Sequence, residues 1–337
     1  MNKFFQNKNI LVTGAAGFIA SHLCEELLKS GATVYGVDNF LTGSDENLEA
    51  LLQNLPEEMQ ENFIFIKADV NQVPEVYLPE PEEVKFDLIF HLASPASPPI
   101  YQKYPRETYL VNSWATHQLL DFLNATNSEA RFLFASTSEV YGDPEVHPQP
   151  ETYWGNVNPN GVRSCYDEAK RLGETICGVY ERDFDLDVRI VRIFNTYGPR
   201  IDINDGRVIP NFIKQALKNE KLTIYGDGSQ TRSYCYVSDL VRGLMLMMSK
   251  DGLKGETCNL GNPDEYTVLQ TAEVIKKQVA NNFNQENDLI FSELPKDDPT
   301  RRRPDIARAK ELLGWEPEVS FEQGLGKTIE YFREKIN

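Results

Sequence analysis

Short apolar runs alternate with stretches of helical character through the first half of the chain. The stretches at 21–30 and 114–125 predict helices that lie between the runs. Strands that alternate with helices connect through right-handed crossovers and pack into a parallel sheet. The sequence therefore predicts an α/β fold with a doubly wound parallel sheet, whose strands lie at 10–13, 33–37, 63–67, 88–92, 132–135 and 188–193.

The pattern changes after about residue 198, where loops rich in Gly, Asp and Asn separate shorter helices and strands. We expect residues 1–198 to form mainly the sheet domain. Residues 199–337 are expected to form mainly a smaller C-terminal α/β lobe, with some segments returning to the sheet. The acidic stretch at 44–62 is expected to be a helical excursion exposed to solvent.

A glycine-rich turn joins the first predicted strand to the first helix. Gly14, Gly17 and Ala20 follow the strand with the spacing GxxGxxA. Gly14 permits the tight turn, Gly17 lets the backbone approach a pyrophosphate, and Ala20 allows close packing of helix on strand. The helix N-terminus presents free N–H groups to the anion. Together these features predict a Rossmann dinucleotide site.

A carboxylate at the end of the second strand indicates which dinucleotide binds. Asp38 can accept both hydroxyls of an adenine ribose and repels a 2′-phosphate, which favours NAD over NADP. The alternative is a carboxylate that caps a helix or a turn. Further cofactor contacts are expected beside the adenine from Asp69 and Val70, on the nicotinamide side from Leu92 and Ser94, and elsewhere from Phe18, Ile19, Asn39, Thr42, Gly43, Thr196 and Arg207.

A tyrosine and a lysine predict the chemistry. Tyr166 and Lys170 are four residues apart, so a helix places them on one face. A Lys ammonium nearby and the charge of NAD⁺ favour the phenolate, which can take a proton from a hydroxyl while hydride leaves for the nicotinamide. Thr137, at the end of a predicted strand, can hydrogen-bond the same hydroxyl. The alternative is an ordinary amphipathic helix.

Other polar residues suggest more than hydride transfer. Ser138 and Glu139 follow Thr137 and place a hydroxyl and a carboxylate beside the substrate; alternatively, Glu139 caps a turn. Arg207, Arg232 and the run at 301–303 stand out in an acidic chain. Their guanidinium groups suit a diphosphate or a carboxylate, although each could equally be a surface residue.

The charge balance narrows the choice of partners. The chain has 34 Lys and Arg against 51 Asp and Glu, a formal net charge of −17. Such a surface repels nucleic acid and anionic membranes. The five cysteines and four histidines show no metal-ligand spacing, so we expect reduced thiols and no metal. No apolar run approaches the roughly 20 residues of a membrane span, and the first residues lack a signal-peptide pattern, so a cytoplasmic location is expected.

With these residues in place, the chain resembles the UDP-glucuronate decarboxylase (UDP-xylose synthase) family of the extended short-chain dehydrogenase/reductase superfamily nearly end to end. The loop with PASP followed by STSEVYGDPEVHPQ is the specific part. The glycine-rich segment is shared across the superfamily and is therefore less specific to this family. Matching segments include HLASPASPP at 91–99, ASTSEVYGDPEVHPQ at 135–149, CYDEAKR at 165–171 and PDIARAKELLGWEP at 304–317.

The resemblance implies a tightly held, recycled NAD and UDP-glucuronate as substrate. NAD⁺ takes hydride from C4 of the sugar, the 4-keto acid loses CO₂, C5 is protonated, and hydride returns to give UDP-xylose. It also implies a homodimer, formed through the helices near 115–125 and 166–180. In the family pattern Thr137, Glu139, Tyr166 and Lys170 carry the chemistry, Arg302 meets the carboxylate end, and the UDP-sugar contacts include Pro95, Ser97, Asn195, Arg207, Tyr225 and Arg232.

Two positions bear on specificity. Related 4,6-dehydratases carry Asp where this chain has Ser138, as an acid that expels a hydroxyl; decarboxylation needs no such acid. Leu110 stands where the family has a Lys, which affects substrate affinity or choice if that Lys contacts the substrate. The alternatives are a nucleotide-sugar 4,6-dehydratase or 4-epimerase, and a non-catalytic module that binds a nucleotide sugar.

Overall fold

The protein is described by a computed structural model that covers residues 2–78, 84–280 and 288–336. Its strands are β1 (Asn9–Thr13), β2 (Thr33–Asp38), β3 (Phe63–Lys67), β4 (Leu88–His91), β5 (Arg131–Thr137), β6 (Asp187–Ile193), β7 (Thr196–Tyr197), β8 (Leu222–Tyr225), β9 (Thr231–Ser233), β10 (Cys235–Tyr236), β11 (Thr257–Leu260), β12 (Glu265–Thr267), β13 (Leu289–Ser292) and β14 (Arg301–Arg302).

A seven-stranded sheet forms the centre, in the order β11-β6-β5-β4-β1-β2-β3. Every neighbouring pair in it is parallel, so the predicted fold class is confirmed. The strand order runs outward in both directions from the β1–β4 pair. Ligands of such sheets bind where the order reverses, outside the carboxyl ends of the strands. Strand β11 reaches the sheet edge from the second half of the chain.

Helices cover both faces of this sheet. Ile10 and Val12 point to a core shared with the helices Phe18–Lys29 and Val237–Ser249. Leu11 points to a second core, shared with the helices Pro105–Thr126 and Ser164–Phe184. This alternation follows from the period of two along a strand. The helices are α1 (Asn2–Phe5), α2 (Phe18–Lys29), α3 (Asp45–Gln53), α4 (Glu57–Gln60), α5 (Pro74–Tyr77), α6 (Pro98–Lys103), α7 (Pro105–Thr126), α8 (Ser164–Phe184), α9 (Val208–Leu217), α10 (Val237–Ser249), α11 (Val268–Ala280) and α12 (Phe321–Ile336).

The acidic stretch at 44–62 differs from its prediction. It contains α3 and α4, but it is not simply exposed: Leu48, Leu51 and Leu55 are buried, and Leu51 and Leu55 belong to the core that α2 shares. The Ser44 hydroxyl caps α3 by accepting a hydrogen bond from the Asn47 N–H at 3.3 Å. The charges occupy the outer face, and the leucines recur at helical spacing on the inner one.

Small sheets in the second half bring distant residues together. Strand β9 pairs with β12 on one side and with β14 on the other. The register of the parallel β14–β9 pair sets Arg302 opposite Arg232. A short 3₁₀ turn (Ser138–Tyr141) follows β5 directly, and the Thr137 hydroxyl caps it by accepting from the Glu139 N–H.

All five cysteines are free thiols, and all but Cys165 are buried. Within the described residues, no helix has the length and apolar character that crossing a bilayer requires. The cytoplasmic location expected from the sequence stays a prediction.

Candidate active site

A large cavity opens at the carboxyl ends of the central strands, where the β1–β4 switch point lies. Its volume is about 1070 Å³, and its wall combines sheet-domain loops with the lobe that follows β6. Of the residues predicted for the site, it brings together Gly14, Gly17, Phe18, Ile19, Asp38, Thr42, Gly43, Leu92, Ser94, Ser97, Thr137, Ser138, Glu139, Tyr166, Lys170, Asn195, Thr196, Arg207, Tyr225 and Arg232.

A smaller pocket of about 50 Å³ adjoins the cavity at Gly14 and Asp38. It is lined by the predicted cofactor residues Asn39, Asp69 and Val70. Pro95, which was predicted to contact the substrate, lies in this pocket rather than in the wall of the large cavity. The PASP loop turns Pro95 toward the end of β3, so this residue faces the adenine side of the dinucleotide site.

The glycine-rich turn has no room for side chains. Gly14 has a φ of +75°, and a Cβ there would lie 2.8 Å from the Ala93 Cα. A Cβ on Gly17 would lie 2.9 Å from the Gly14 carbonyl oxygen. Helix α2 begins at Phe18, directly after Gly17. The first amides of this helix therefore lie in the cavity wall, where a pyrophosphate is favoured.

Asp38 is fixed at the end of β2 by the backbone. Its two carboxylate oxygens accept hydrogen bonds from the Ala16 N–H at 3.0 Å and the Phe40 N–H at 2.7 Å. Burial raises the pKa of this carboxyl, and these backbone donors offset part of the rise. The oxygens keep unused lone pairs beside the cavity, which fits two ribose hydroxyls. The turn, the helix N-terminus and this carboxylate together fit NAD.

Tyr166 and Lys170 lie on the cavity side of α8. The Lys170 Nζ donates to the Ala135 carbonyl at 2.6 Å and lies 5.8 Å from the centre of the Tyr166 ring. The prediction that the lysine would favour the phenolate is not met by the protein alone: burial raises the pKa of Tyr166, while the hydrogen bond from Thr137 lowers it only in part. Burial also lowers the pKa of Lys170 to about 7. Desolvation outweighs the pairwise attraction here.

A second tyrosine, missed from the sequence, supports the first. Tyr101 on α6 stacks on Tyr166 with ring centroids 5.0 Å apart and planes at 3°. It is almost wholly buried and lines the cavity. The stack fixes the orientation of the Tyr166 ring. The sequence offered only a weak signal, an aromatic residue shortly after the PASP loop.

Glu139 lies between two guanidinium groups. The Arg163 Nη2 is 2.5 Å and the Arg302 Nη2 is 3.3 Å from its Oε2. Burial by itself raises the pKa of this carboxyl, but Arg302, Arg163 and Arg232 together hold the pKa well below its usual range. Glu139 is therefore ionised at neutral pH, and its role is larger than capping a turn.

Arg302 is placed differently from its prediction. Its guanidinium donates to the carbonyl oxygens of Ser138 and Gly142 as well as to Glu139. It is buried and stands behind the cavity wall rather than in it. The β14–β9 pairing aims it at the 3₁₀ turn, so it holds the Ser138–Glu139 backbone.

Beside Glu139, the guanidinium in the cavity wall is that of Arg163. The sequence analysis did not predict this residue. It precedes α8 and is buried. Besides Glu139 it contacts Asp298, with Nη1 3.1 Å from Oδ1, and the other oxygen of Asp298 accepts from Arg232 at 2.7 Å. A chain of alternating charges thus links the reaction end to the lobe. No contiguous motif contains these residues.

The remaining predicted residues occupy the lobe side. Arg207 is paired with Asp205 through two bonds, at 2.5 Å and 2.8 Å. Tyr225 is partly exposed at the mouth of the cavity. Leu110, the departure noted in the sequence, lines neither pocket. Among the described residues no group of three or more His, Cys, Asp or Glu is arranged to hold a metal ion.

The fold and this site define an NAD-dependent enzyme of the extended short-chain dehydrogenase/reductase class. The model of the GDP-mannose 4,6 dehydratase family matches residues 11–328. UDP-glucuronic acid decarboxylase 1 of Danio rerio is 50% identical over 98% of this chain and 73% of its own length. UDP-glucuronic acid decarboxylase 6 of Arabidopsis thaliana is 47% identical over 99% of this chain and 92% of its own.

A solved structure shares the same fold. UDP-glucuronic acid 4-epimerase from Bacillus cereus, in complex with UDP-glucuronic acid and NAD, matches with a TM-score of 0.83 and 30% identity, covering 97% of this chain and 99% of that one. The chain belongs to the GDP-mannose 4,6 dehydratase family and, within it, to the UDP-glucuronic acid decarboxylases.

Proposed function

We propose that this protein converts UDP-glucuronate to UDP-xylose and CO₂ through a UDP-4-keto intermediate, with NAD used and restored in each turnover. The observation that carries the proposal is the reaction end of the cavity. Thr137, Tyr166 and Lys170 lie there beside Glu139 and its two arginines. The decarboxylases to which the chain is about half identical agree with it.

The first step is oxidation at C4 of the sugar. Tyr166 takes the proton of the 4-hydroxyl, and Thr137 hydrogen-bonds the same oxygen. The Lys170 ammonium, anchored on the Ala135 carbonyl, offsets part of the cost that burial imposes on the phenolate. NAD, when bound, supplies the acceptor and later the donor of the C4 hydride. The stack with Tyr101 keeps the Tyr166 oxygen aimed during the proton transfer.

The second step is loss of CO₂. A ketone at C4 makes the carboxylate a β-keto acid, whose electrons flow into the carbonyl when the C–C bond breaks. The side chain at position 138 is a serine, a poor acid for expelling a hydroxyl, so loss of water is disfavoured. Glu139 and Arg163 face the same end of the cavity, and they direct the protonation of C5 before the ketone is reduced.

Substrate holding falls to the lobe side. Arg232 and Arg207 suit the diphosphate because a guanidinium offers paired donors to phosphate oxygens. Tyr225 and Asn195 lie in the same wall and serve the nucleoside end. Arg302 acts on the substrate through the Ser138–Glu139 turn that it holds.

Product analysis tests the proposal. Purified protein is incubated with UDP-glucuronate without added reductant, and the products are read by mass spectrometry. Loss of one CO₂ per sugar supports the decarboxylase. Loss of water would indicate a 4,6-dehydratase, an unchanged mass with a new stereoisomer a 4-epimerase, and unchanged substrate a binding module.

We also propose a homodimer through the outer face of α7 and α8. An aromatic row crosses the two helices, from Trp114 through His117 and Tyr180 to Phe184, with successive centroids 5.6, 5.9 and 4.9 Å apart. Trp114 is 46% and Phe184 47% exposed. Sedimentation of Trp114→Glu should show a monomer, whereas Val76→Glu, at an exposed site on α5, should leave the dimer intact. A dimeric Trp114→Glu protein would contradict this interface.

A further inference from the structure

A buried carboxyl group directly follows the catalytic tyrosine. Asp167 is 6% exposed, and its Oδ1 has no hydrogen-bond partner among the described residues. A buried polar oxygen without a partner is costly, because its hydration is lost and not replaced. An asparagine would have the same shape without the charge. A residue kept at such a cost beside a reactive group points to function.

Asp167 meets the reaction end through Arg163. Its Oδ2 lies 3.9 Å from the Arg163 Nε, which is itself buried and unpartnered among the described residues. The other groups that act on Asp167 or are acted on by it come from each element packed against it: Glu139 from the turn after β5, Arg302 from β14, Tyr101 from α6, and Cys165, Tyr166 and Glu168 from α8 itself.

Its surroundings favour the neutral form of the Asp167 carboxyl. Burial and the neighbouring Glu139 raise the pKa of its carboxyl to about 8, and Arg163 and Arg302 oppose the rise only in part. The two carboxyls therefore differ: Glu139 is ionised and Asp167 is neutral. This separation is the usual result when two acids share one buried charge environment.

Asp167 does not line the cavity, although its neighbours Arg163 and Tyr166 do. It therefore acts on the substrate only through these neighbours. The charge of Asp167 raises the pKa of Tyr166, so an ionised Asp167 opposes formation of the phenolate. The same charge attracts the Arg163 Nε and competes with Glu139 for the guanidinium.

We propose that Asp167 is a positioning residue that, while protonated, leaves Arg163 to Glu139 and Tyr166 free of an opposing charge, and that its ionisation turns the site off in alkaline solution. The inference rests on the proposed function for its activity readout. The proton on Asp167 thus sets the alkaline limit of the reaction from behind the cavity wall.

The test compares the pH dependence of kcat for the NAD-loaded wild type, Asp167→Asn and the control Glu168→Gln. Glu168 is the adjacent acid on α8, does not line the cavity and pairs only with Arg171 among the described ion pairs; its influence on Asp167 is weaker than that of Glu139, Arg163 or Arg302. The wild type should lose activity above about pH 8, since at one pH unit above the pKa of an acid only about one molecule in ten keeps the proton. Deprotonation of Lys170, whose pKa is about 7, affects both proteins alike, so Asp167→Asn should be about tenfold more active than the wild type at pH 9.

Superimposable profiles for the wild type and Asp167→Asn would overturn the proposal; the alkaline limit would then belong to another group, such as Lys170. An equal change in Glu168→Gln would overturn it too, because any acid on the helix would serve.

Two further measurements separate this role from a structural one and from the proposed function. The pKa of Asp167 is raised on folding, so its contribution to stability is lost as pH rises toward 8; urea unfolding should show a gain for Asp167→Asn that is small near pH 5 and largest near pH 8. A gain equal at both would indicate packing alone and contradict the proposal. If the wild type released no CO₂, the proposed function would fail, and the role of Asp167 would be tested by the absorbance of tyrosinate. Tyr166 should then ionise at lower pH in Asp167→Asn than in the wild type. An unchanged titration of Tyr166 would contradict the inference.

Discussion

The two ends of the cavity are built in different ways. The cofactor end is made of backbone: a turn without side chains, a helix N-terminus and one carboxylate held by amides. The reaction end is made of charged side chains from four distant segments: Arg163 and Arg302 are buried, and Glu139 and Arg232 are half-buried. The first recognises a shape that does not change in the reaction. The second must respond to charges that appear and disappear.

This difference governs how each end fails. A backbone site is sensitive to added volume, because an added Cβ displaces the backbone that forms the site. A site of paired buried charges is sensitive to the loss of one partner, because the others are left unpaired at low dielectric. Four variants test the contrast, in decreasing order of effect.

Tyr166→Phe should have the largest effect. It removes the oxygen that takes the 4-hydroxyl proton, and kcat should fall about 10³-fold, within the range of general acid–base catalysis. The fold should survive, because the ring still stacks on Tyr101. The rate is read by product analysis. Tyr77→Phe is the control, because it removes a buried hydroxyl that has no hydrogen-bond partner among the described residues and lies outside both pockets. Full turnover in Tyr166→Phe would contradict the mechanism.

Glu139→Gln should come next. It leaves Arg163 and Arg302 without their shared counter-charge, so we expect kcat to fall about 10²-fold and the free energy of unfolding to fall by about 3 kcal/mol. The folded pKa of Glu139 is depressed, so its stabilising contribution is present above the unfolded pKa and is lost as pH falls below about 4. Urea unfolding should show the full difference at pH 7 and little at pH 2, near the folded pKa. A difference independent of pH would refute the ion-pair account.

Gly14→Ala should damage the cofactor end alone. The added Cβ meets the Ala93 backbone at 2.8 Å in a conformation with positive φ, so NAD affinity should fall at least about tenfold, since strain of this kind costs about 1–2 kcal/mol before the clash is counted. Gly252→Ala is the matched control, because Gly252 has a φ of +76° and a Cβ there would have no heavy atom of the described residues within 4 Å. UDP affinity, measured by calorimetry, should be unchanged in both. An equal loss of NAD affinity in the control would show that backbone strain, and not the contact in the glycine-rich turn, is responsible.

Asp38→Asn should have the smallest effect. It keeps the size of the side chain but removes the charge that repels a 2′-phosphate, so the preference for NAD over NADP should fall by about tenfold. The measurement is the dissociation constant of each dinucleotide. An unchanged ratio would show that the backbone around Gly43, and not the charge of Asp38, sets the preference.

The same contrast explains what the sequence could predict. The cofactor end lies in contiguous motifs, so Gly14, Gly17 and Asp38 could be placed from spacing alone, as could Tyr166 and Lys170 on one helix face. The sheet could be predicted because its strands are short apolar runs. Helix α7 begins at Pro105, earlier than the predicted 114, because a proline is favoured in the first turn of a helix, where its missing N–H is not needed.

The reaction end could be predicted only in part. Arg163 and Tyr101 stand in no motif, and they reach the site only because α6 and α8 pack together. The direction of Arg302 depends on the β14–β9 register, which no local pattern specifies. The pKa of Tyr166 depends on burial, which spacing does not reveal.

The most direct test of the account uses UDP-glucuronate that carries deuterium at C4. The purified protein, with its own NAD and no added reductant, is incubated with this substrate, and the product is examined by mass spectrometry and NMR. The account predicts UDP-xylose that has lost CO₂ and keeps the deuterium at C4, since the same hydride leaves and returns. A product that has lost CO₂ but does not keep the deuterium at C4 would contradict internal redox cycling. A product that keeps its carboxylate would contradict the decarboxylase.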